Sequence, residues 1–91
     1  MVEPYVQTSI TSNKFLRTFP ETVDEDSLVW HRDVNTRHMR VIEVGDWYFQ
    51  KDNILPAKLK VDDEFIIWEM EYHRLIKESG HLIIEITEFR K

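Results

Sequence analysis

Leu28-Val29-Trp30-His31-Arg32-Asp33 is the stretch around which the whole chain is organised. Its apolar and aromatic residues predict a β-strand. Because side chains alternate between the two faces of a strand, His31 and Asp33 point to one face and Trp30 points to the other. The predicted strand therefore presents an imidazole and a carboxylate side by side.

A second histidine follows near the C-terminus, within Tyr72-His73-Arg74. If it meets His31 and Asp33, the three side chains supply two nitrogen ligands and one oxygen ligand. Such a set binds divalent metals and leaves coordination positions open for water, oxygen or a substrate. The same residues also permit a plainer interpretation, in which Asp33 accepts a hydrogen bond from a turn and both histidines are half-buried core residues.

Working outward from this stretch, apolar runs of strand length recur between polar turns. Gly45-Asp46 predicts a type II′ hairpin turn, and Glu78-Ser79-Gly80 predicts a hairpin loop with glycine at positive φ. The acidic segment 21–27 predicts a solvated connection or a single helical turn. Many short strands without a long helical period predict an antiparallel sandwich or barrel, with further strands over 5–10, 14–19, 38–44, 47–50, 56–59, 65–69, 72–77 and 81–88.

The composition limits the kinds of metal site and of binding partner that this protein can have. With 91 residues the chain has room for one domain, and 42% hydrophobic residues are typical of a packed globule. Since there is no cysteine, any metal must be held by nitrogen and oxygen ligands. A formal charge of −5 without a basic run argues against nucleic-acid binding. No export signal or membrane span is recognisable, so we expect no membrane contact and a cytoplasmic location.

The order of these motifs resembles that of a cupin, the double-stranded β-helix or jelly-roll barrel. The first cupin motif, a histidine, any residue, a histidine, then a glutamate and a glycine hairpin, is matched by His31-Arg32-Asp33, Arg37 and Gly45. The second motif is matched by residues 62–68 and by Tyr72-His73. The resemblance implies an all-β, cupin-like domain over 1–91, with N-terminal strands in 1–20 and a cupin core over about 28–88. Short cupin-like proteins of bacteria and phages carry similar boxes.

For the site, the resemblance implies a small-molecule pocket with a divalent metal on His31, Asp33 and His73. Iron, manganese, nickel and zinc all accept these ligands, and metal-dependent oxygenase or isomerase chemistry follows from that class. Arg37 stands where a metal-binding cupin has glutamate. If Arg37 faces inward, its cation disfavours a metal unless a carboxylate or an anionic ligand intervenes, and it favours an anionic substrate.

Two other functions stay open on the sequence. In a metal-free, epimerase-like cupin, His31 is a general base and His73 or Tyr72 is the acid. Tyr48 and Gln50 share one strand face and, if that face is the inner one, add a hydroxyl and an amide to the substrate pocket. In a non-catalytic bacterial or phage accessory protein, the barrel only offers a surface for interaction. A homodimer is expected, because uncovered strand edges need partners.

The remaining large and charged side chains are assigned to packing and to the rim. Trp47, Phe49 and Trp68 are expected in the core or in a dimer contact, because large aromatic residues dominate the packing of so small a domain. Arg32, Arg40 and Arg74 are expected to be rim charges that pair with glutamates, and the sequence also places two exposed histidines beside turns, His38 and His81.

Overall fold

The computed structural model describes residues 4–90, and in that part of the chain it is an all-β, antiparallel protein. One 3-10 turn, Glu25–Ser27, interrupts the strands. No helix among the described residues is long and apolar enough to cross a membrane. The six strands of the described part are β1 Val6–Ser9, β2 Lys14–Phe19, β3 Thr36–Lys51, β4 Ala57–Lys58, β5 Glu64–Ile67 and β6 His73–Phe89.

The two long strands, β3 and β6, organise the sheet. Hydrogen bonding follows the order β1-β2-β6-β3-β4, and β5 also pairs with β3. The first half of β3 pairs with β5 and the second half pairs with β4. Phe49 lies in the second half of β3, whereas Phe65 lies in β5, which pairs with the first half. Their ring centroids are nevertheless only 4.5 Å apart. The sheet must therefore curve back on itself, which confirms the expected all-β barrel-like class.

Both predicted glycine hairpins are wrong. Gly45 and Gly80 lie inside the continuous strands β3 and β6 and not in turns, although the positive φ expected for Gly80 is present at 80°. The register between the strands shifts on both sides of Gly45. A Cβ on Gly45 would lie 2.6 Å from the carbonyl oxygen of Ser79. The glycines therefore permit a close approach of two bulged, bending strands and do not form turns.

Replacement of Gly45 by alanine is expected to destabilise the fold. The new methyl group would meet backbone atoms of β6, which cannot rotate away as a side chain could. We expect a loss of roughly 1–3 kcal/mol in the free energy of unfolding, the cost typical of local backbone strain. Chemical denaturation measures it, with Thr8→Ala on the exposed strand β1 as the control. Equal stability of Gly45→Ala and the wild type would contradict this explanation of the glycine.

The buried apolar side chains of the described part form one core cluster. Trp47 and Phe49 belong to it, as predicted, whereas Trp68 is 60% exposed and is not a core residue. Strand β5 ends at Ile67, and residues 68–71 form a turn in which Met70 has a φ of 61°. The buried apolar side chains are Phe15, Phe19, Val23, Met39, Val41, Trp47, Phe49, Leu59, Ile67, Leu82, Ile84 and Ile86.

The strand predicted over residues 28–33 is also wrong, although its central residue is paired. The segment makes one isolated antiparallel bridge, between His31 and His73. A 3-10 turn precedes the segment, and beyond the bridge the carbonyl of Asp33 accepts a hydrogen bond at 2.7 Å from the amide of Met70, which lies in the turn at 68–71 and not in a strand. The predicted single domain spans 1–91, of which residues 1–3 and 91 lie outside the described part.

Candidate metal centre

The bridge between His31 and His73 brings the two halves of the site together. The amide of each residue donates to the carbonyl of the other, at 3.0 Å from His31 N and 2.9 Å from His73 N. The ring centroids lie 4.3 Å apart. The sequence places the two histidines 42 positions apart, and the bridge makes them direct neighbours on one face.

Each imidazole is oriented by a backbone carbonyl. Nδ1 of His31 lies 2.9 Å from the carbonyl of Val29, and Nδ1 of His73 lies 2.8 Å from the carbonyl of Glu71. A carbonyl only accepts, so the geometry assigns the proton to Nδ1 in both rings. In the neutral tautomer, Nε2 then carries a free lone pair. An N–H bonded to a carbonyl on the far side of the ring is the arrangement typical of metal-ligating histidines.

Asp33 completes the group. Nε2 of His73 lies 3.3 Å from Oδ2 of Asp33, and Nε2 of His31 lies 4.0 Å from Oδ1. One ligand atom from each of the three side chains lies within 4.8 Å of the other two. The predicted assembly of these three residues is therefore present, and a metal ion between them would have two nitrogen ligands and one oxygen ligand.

One carboxylate oxygen of Asp33 lacks a well-formed hydrogen bond, although Nη1 of Arg37 and Nε2 of His73 lie 3.5 and 3.3 Å from it. This oxygen, Oδ2, is buried and has no hydrogen-bond partner among the described residues. Leaving such an acceptor unsatisfied costs about 1–3 kcal/mol. A cation seated between Oδ2 and the two Nε2 atoms would compensate that cost, so the residues fit a divalent metal.

The pKa of Asp33 reflects opposing effects of burial and of the neighbouring side chains. Burial raises the pKa, but the close ring of His73 and the charges of Arg37, His73 and His31 together hold it below its ordinary value of 3.8. A carboxylate with a lowered pKa stays ionised throughout the neutral range. Asp33 is therefore a charged ligand at every pH at which the protein is expected to work.

Acid should remove the stability that ionised Asp33 contributes. Because its pKa is lower in the folded state, the contribution is complete above the unfolded value and is lost as the pH falls through the folded value. We expect the difference in unfolding free energy between the wild type and Asp33→Asn to shrink as the pH falls from about 5 to about 2. Urea unfolding at a series of pH values measures it, and a difference independent of pH would contradict it.

Arg37 faces inward, and two carboxylates neutralise it. Its Nη1 atom lies 3.5 Å from Oδ2 of Asp33, and its Nη2 atom donates to Oε2 of Glu88 at 3.1 Å. A hydrogen bond from Arg90 lowers the pKa of Glu88, burial opposes this, and Arg37 lowers the pKa further. The carboxylate of Asp33 lies 3.5 Å from the guanidinium and 3.3 Å from Nε2 of His73, so a carboxylate stands between Arg37 and the two imidazoles. This meets the condition under which an inward Arg37 is compatible with a metal.

The triad opens into a cavity of about 260 Å³. Arg37 and Arg17 contribute cationic groups to its wall, and Asp33 contributes a carboxylate. Most of the other lining residues are apolar, so a bound molecule would be partly shielded from water. The apolar side chains of the lining include Leu28, Met39, Phe49, Ile67, Leu75 and Ile84.

Three of the predicted site residues lie elsewhere. Tyr48 and Gln50 alternate with the buried Trp47 and Phe49 and so face away from the cavity. Gln50 accepts a hydrogen bond from Nε of Arg74 at 2.9 Å. Tyr72 is 43% exposed; like Tyr48 and Gln50, it is absent from the described cavity lining.

Glu88 is the site residue that sequence reasoning missed. It pairs with Arg37 across β3 and β6, and opposite charges on facing strands are a recognisable signal. The signal cannot be used without the register of β3 and β6, which the bulges near Gly45 shift.

The charged residues expected outside the site form ion pairs with carboxylates. His38 pairs with Glu64, His81 pairs with Glu43, and Arg40 pairs with Asp62 and Glu85.

Comparison with solved structures identifies the fold. A cupin domain from Bordetella pertussis Tohama I is 17% identical with a TM-score of 0.65, and the match covers 99% of both chains. The DMSP lyase DddQ from Ruegeria pomeroyi DSS-3 is 8% identical with a TM-score of 0.78, over 97% of this chain and 48% of the lyase. The Co(II) form of HppE is 16% identical with a TM-score of 0.74, over 98% and 55%.

These similarities concern the fold. This chain spans about half the length of the lyase and of HppE. No family model and no curated protein sequence matches it. The Bordetella domain has the same extent, and the TM-scores show a common fold with all three structures. The chain therefore has the cupin fold that its motifs indicate.

Proposed function

We propose that this protein binds one divalent metal ion through His31, Asp33 and His73, and a small organic molecule in the adjoining cavity. The observation that carries the proposal is the buried Oδ2 atom of Asp33, which lacks a donor and faces two imidazoles whose Nδ1 atoms are occupied by carbonyls. A bound ion would act as a Lewis acid and as a template for a ligand in its open positions.

The cavity wall favours an anionic molecule. Among the charged side chains of the described lining, Arg17 and Arg37 are cations and Asp33 is the carboxylate, while the whole chain has a net charge of −5. Glu88, which pairs with Arg37, balances these charges in the metal-free protein, so a divalent ion would give the site an excess of positive charge. We therefore propose a small ligand with an anionic group and an apolar part that packs on Phe49, Met39 and their neighbours.

The proposed reaction class is metal-dependent oxygenase or isomerase chemistry. It is supported by solved structures of similar fold that are described as Fe(II) and Co(II) forms of HppE. In such a reaction the side chains of this protein have separate tasks. Asp33 and the histidines hold the ion, Arg37 orients the anionic end of the ligand, and the apolar wall excludes water.

Metal titration of protein purified without a histidine tag tests the proposal. Iron(II), manganese, cobalt, nickel and zinc are added separately to metal-free protein, and the stoichiometry is read by calorimetry. We expect one ion per chain, and saturation at about 100 times the dissociation constant should add about 2.7 kcal/mol of stability. Failure of all five ions to bind would refute the metal proposal.

A metal-free anion-binding cupin is the second candidate, because Arg37 faces the cavity and its Nε atom has no hydrogen-bond partner among the described residues. This candidate predicts that small carboxylates or phosphonates bind equally well with and without metal. The first candidate predicts that binding requires the ion. Competition titrations in chelator and in zinc distinguish the two.

The homodimer and the cytoplasmic location stay predictions. Exposed apolar side chains on the described surface, such as Leu55 at 84% and Trp68 at 60%, offer area for contact between copies. A non-catalytic interaction protein would use the same surface. Sedimentation at several protein concentrations measures the oligomeric state, and a monomer at all of them would refute the dimer.

A further inference from the structure

The two histidines lie in matching tripeptides, Trp30-His31-Arg32 and Tyr72-His73-Arg74, which run in opposite directions. Each consists of an aromatic residue, a histidine and an arginine. Because His31 is paired with His73, each flanking arginine lies opposite the aromatic residue of the other tripeptide. The histidines occupy the face that lines the cavity, and the flanking side chains occupy the reverse face.

The flanking side chains make two stacked pairs. Cζ of Arg74 lies 4.7 Å from the centroid of the Trp30 ring, and Cζ of Arg32 lies 5.1 Å from the centroid of the Tyr72 ring. Both distances are within the range of a cation–π interaction. The bridge thus has one arginine–aromatic pair on each side, as the local two-fold symmetry of an antiparallel pair requires.

A third strand braces one of these pairs. Nε of Arg74 donates to Oε1 of Gln50 at 2.9 Å, and Nε2 of Gln50 donates to the carbonyl of Ile54 at 3.0 Å. Gln50 is also the register partner of Arg74 on β3. The guanidinium of Arg74 is therefore fixed between β3 and the segment that carries His31.

The other supports of that segment lie at its two ends. It belongs to no named strand, and the bridge contributes two backbone hydrogen bonds. The amide of Met70 donates to the carbonyl of Asp33 at 2.7 Å and Leu28 packs against the core, whereas Val29 is 60% exposed. Between these two anchors, the arginine–aromatic pairs are the side-chain contacts that flank His31 directly.

We propose that the Trp30–Arg74 and Tyr72–Arg32 pairs, here called the reverse-face clamp, are positioning residues that hold the His31 and His73 rings at ligating distance. The contribution of the reverse-face clamp to metal binding rests on the proposed function. Its effect on the bridge between His31 and His73 does not require a metal. The clamp touches neither the cavity nor the ligand atoms. It acts only through the backbone pairing of the two histidines.

The test compares Trp30→Ala, Tyr72→Ala and the double variant, with Trp30→Tyr as the conservative rescue. Amide hydrogen exchange at His31 is measured in metal-free protein, and the affinity and visible spectrum are measured with cobalt(II). Each alanine variant should speed exchange and weaken cobalt binding by about two- to fivefold, and the double variant by about five- to thirtyfold. Trp30→Tyr should restore most of the loss.

Trp68→Ala is the matched control, since it removes an exposed tryptophan from the neighbouring turn. It should leave His31 exchange and the cobalt spectrum unchanged. Clamp variants that behave like Trp68→Ala in both measurements would overturn the proposal. If the wild type binds no cobalt, the proposed function fails, and the exchange of the His31 amide alone decides whether the clamp exists.

Discussion

Replacing His31 by alanine is expected to lower divalent-metal affinity by more than about 100-fold, since loss of a ligand exceeds the cost of losing an outer partner. The fold should survive, because the His31 side chain is 47% exposed and its bridge to His73 uses backbone atoms. The wild type should gain about 10 °C or more in melting temperature on saturation with metal. The variant should gain little.

His81→Ala is the control for this result. Its side chain is 48% exposed and pairs with Glu43 at 3.6 Å, so the two histidines match in exposure and in having a carboxylate neighbour. His81→Ala should bind metal like the wild type. Equal losses in His31→Ala and His81→Ala would mean that metal binds adventitiously at surface histidines.

Replacing Arg37 by methionine is expected to destabilise the metal-free protein by about 3 kcal/mol. The change leaves Asp33 and Glu88 without the guanidinium that neutralises both, and their side chains are only 15% and 14% exposed. Metal affinity should rise, because a cation next to the ligands has been removed. Denaturation with and without zinc measures both effects.

Arg40→Met is the matched control for the arginine. Arg40 lies three positions along the same strand, is 40% exposed and pairs with Asp62 and Glu85 at longer distances. Exposed pairs of this kind contribute about 0–1 kcal/mol. An Arg37→Met protein as stable as Arg40→Met would show that the buried charge network does not stabilise the fold.

Local patterns were sufficient for the fold class. The run 14–19 predicts β2, the apolar run from Phe65 predicts β5, and β1, β2 and β5 are found close to their predicted positions. Gly45 and Gly80 misled the prediction, because a glycine that permits two strands to approach looks, in sequence, like a glycine in a turn. The distinction depends on a neighbour that is 35 residues away.

The candidate site could be predicted only in part, because some of its contacts also depend on strand pairing that is distant in the sequence. The triad follows from residue type, and the motif order brings His73 to it. The inward direction of Arg37 and its pairing with Glu88 depend on the bulged register of β3 and β6, which the sequence does not display. Tyr48 and Gln50 were candidates for the pocket only if their strand face was the inner one, and the large aromatic side chains beside them occupy that face.

X-ray absorption at the zinc edge of protein loaded with one zinc ion per chain tests the central claim most directly. It counts the imidazoles that bind the ion. We predict two imidazole nitrogens and carboxylate or water oxygens around zinc, and one imidazole fewer in His31→Ala. Zinc that does not reach one ion per chain, or a shell with fewer than two imidazoles, would contradict a metal centre built from His31, Asp33 and His73.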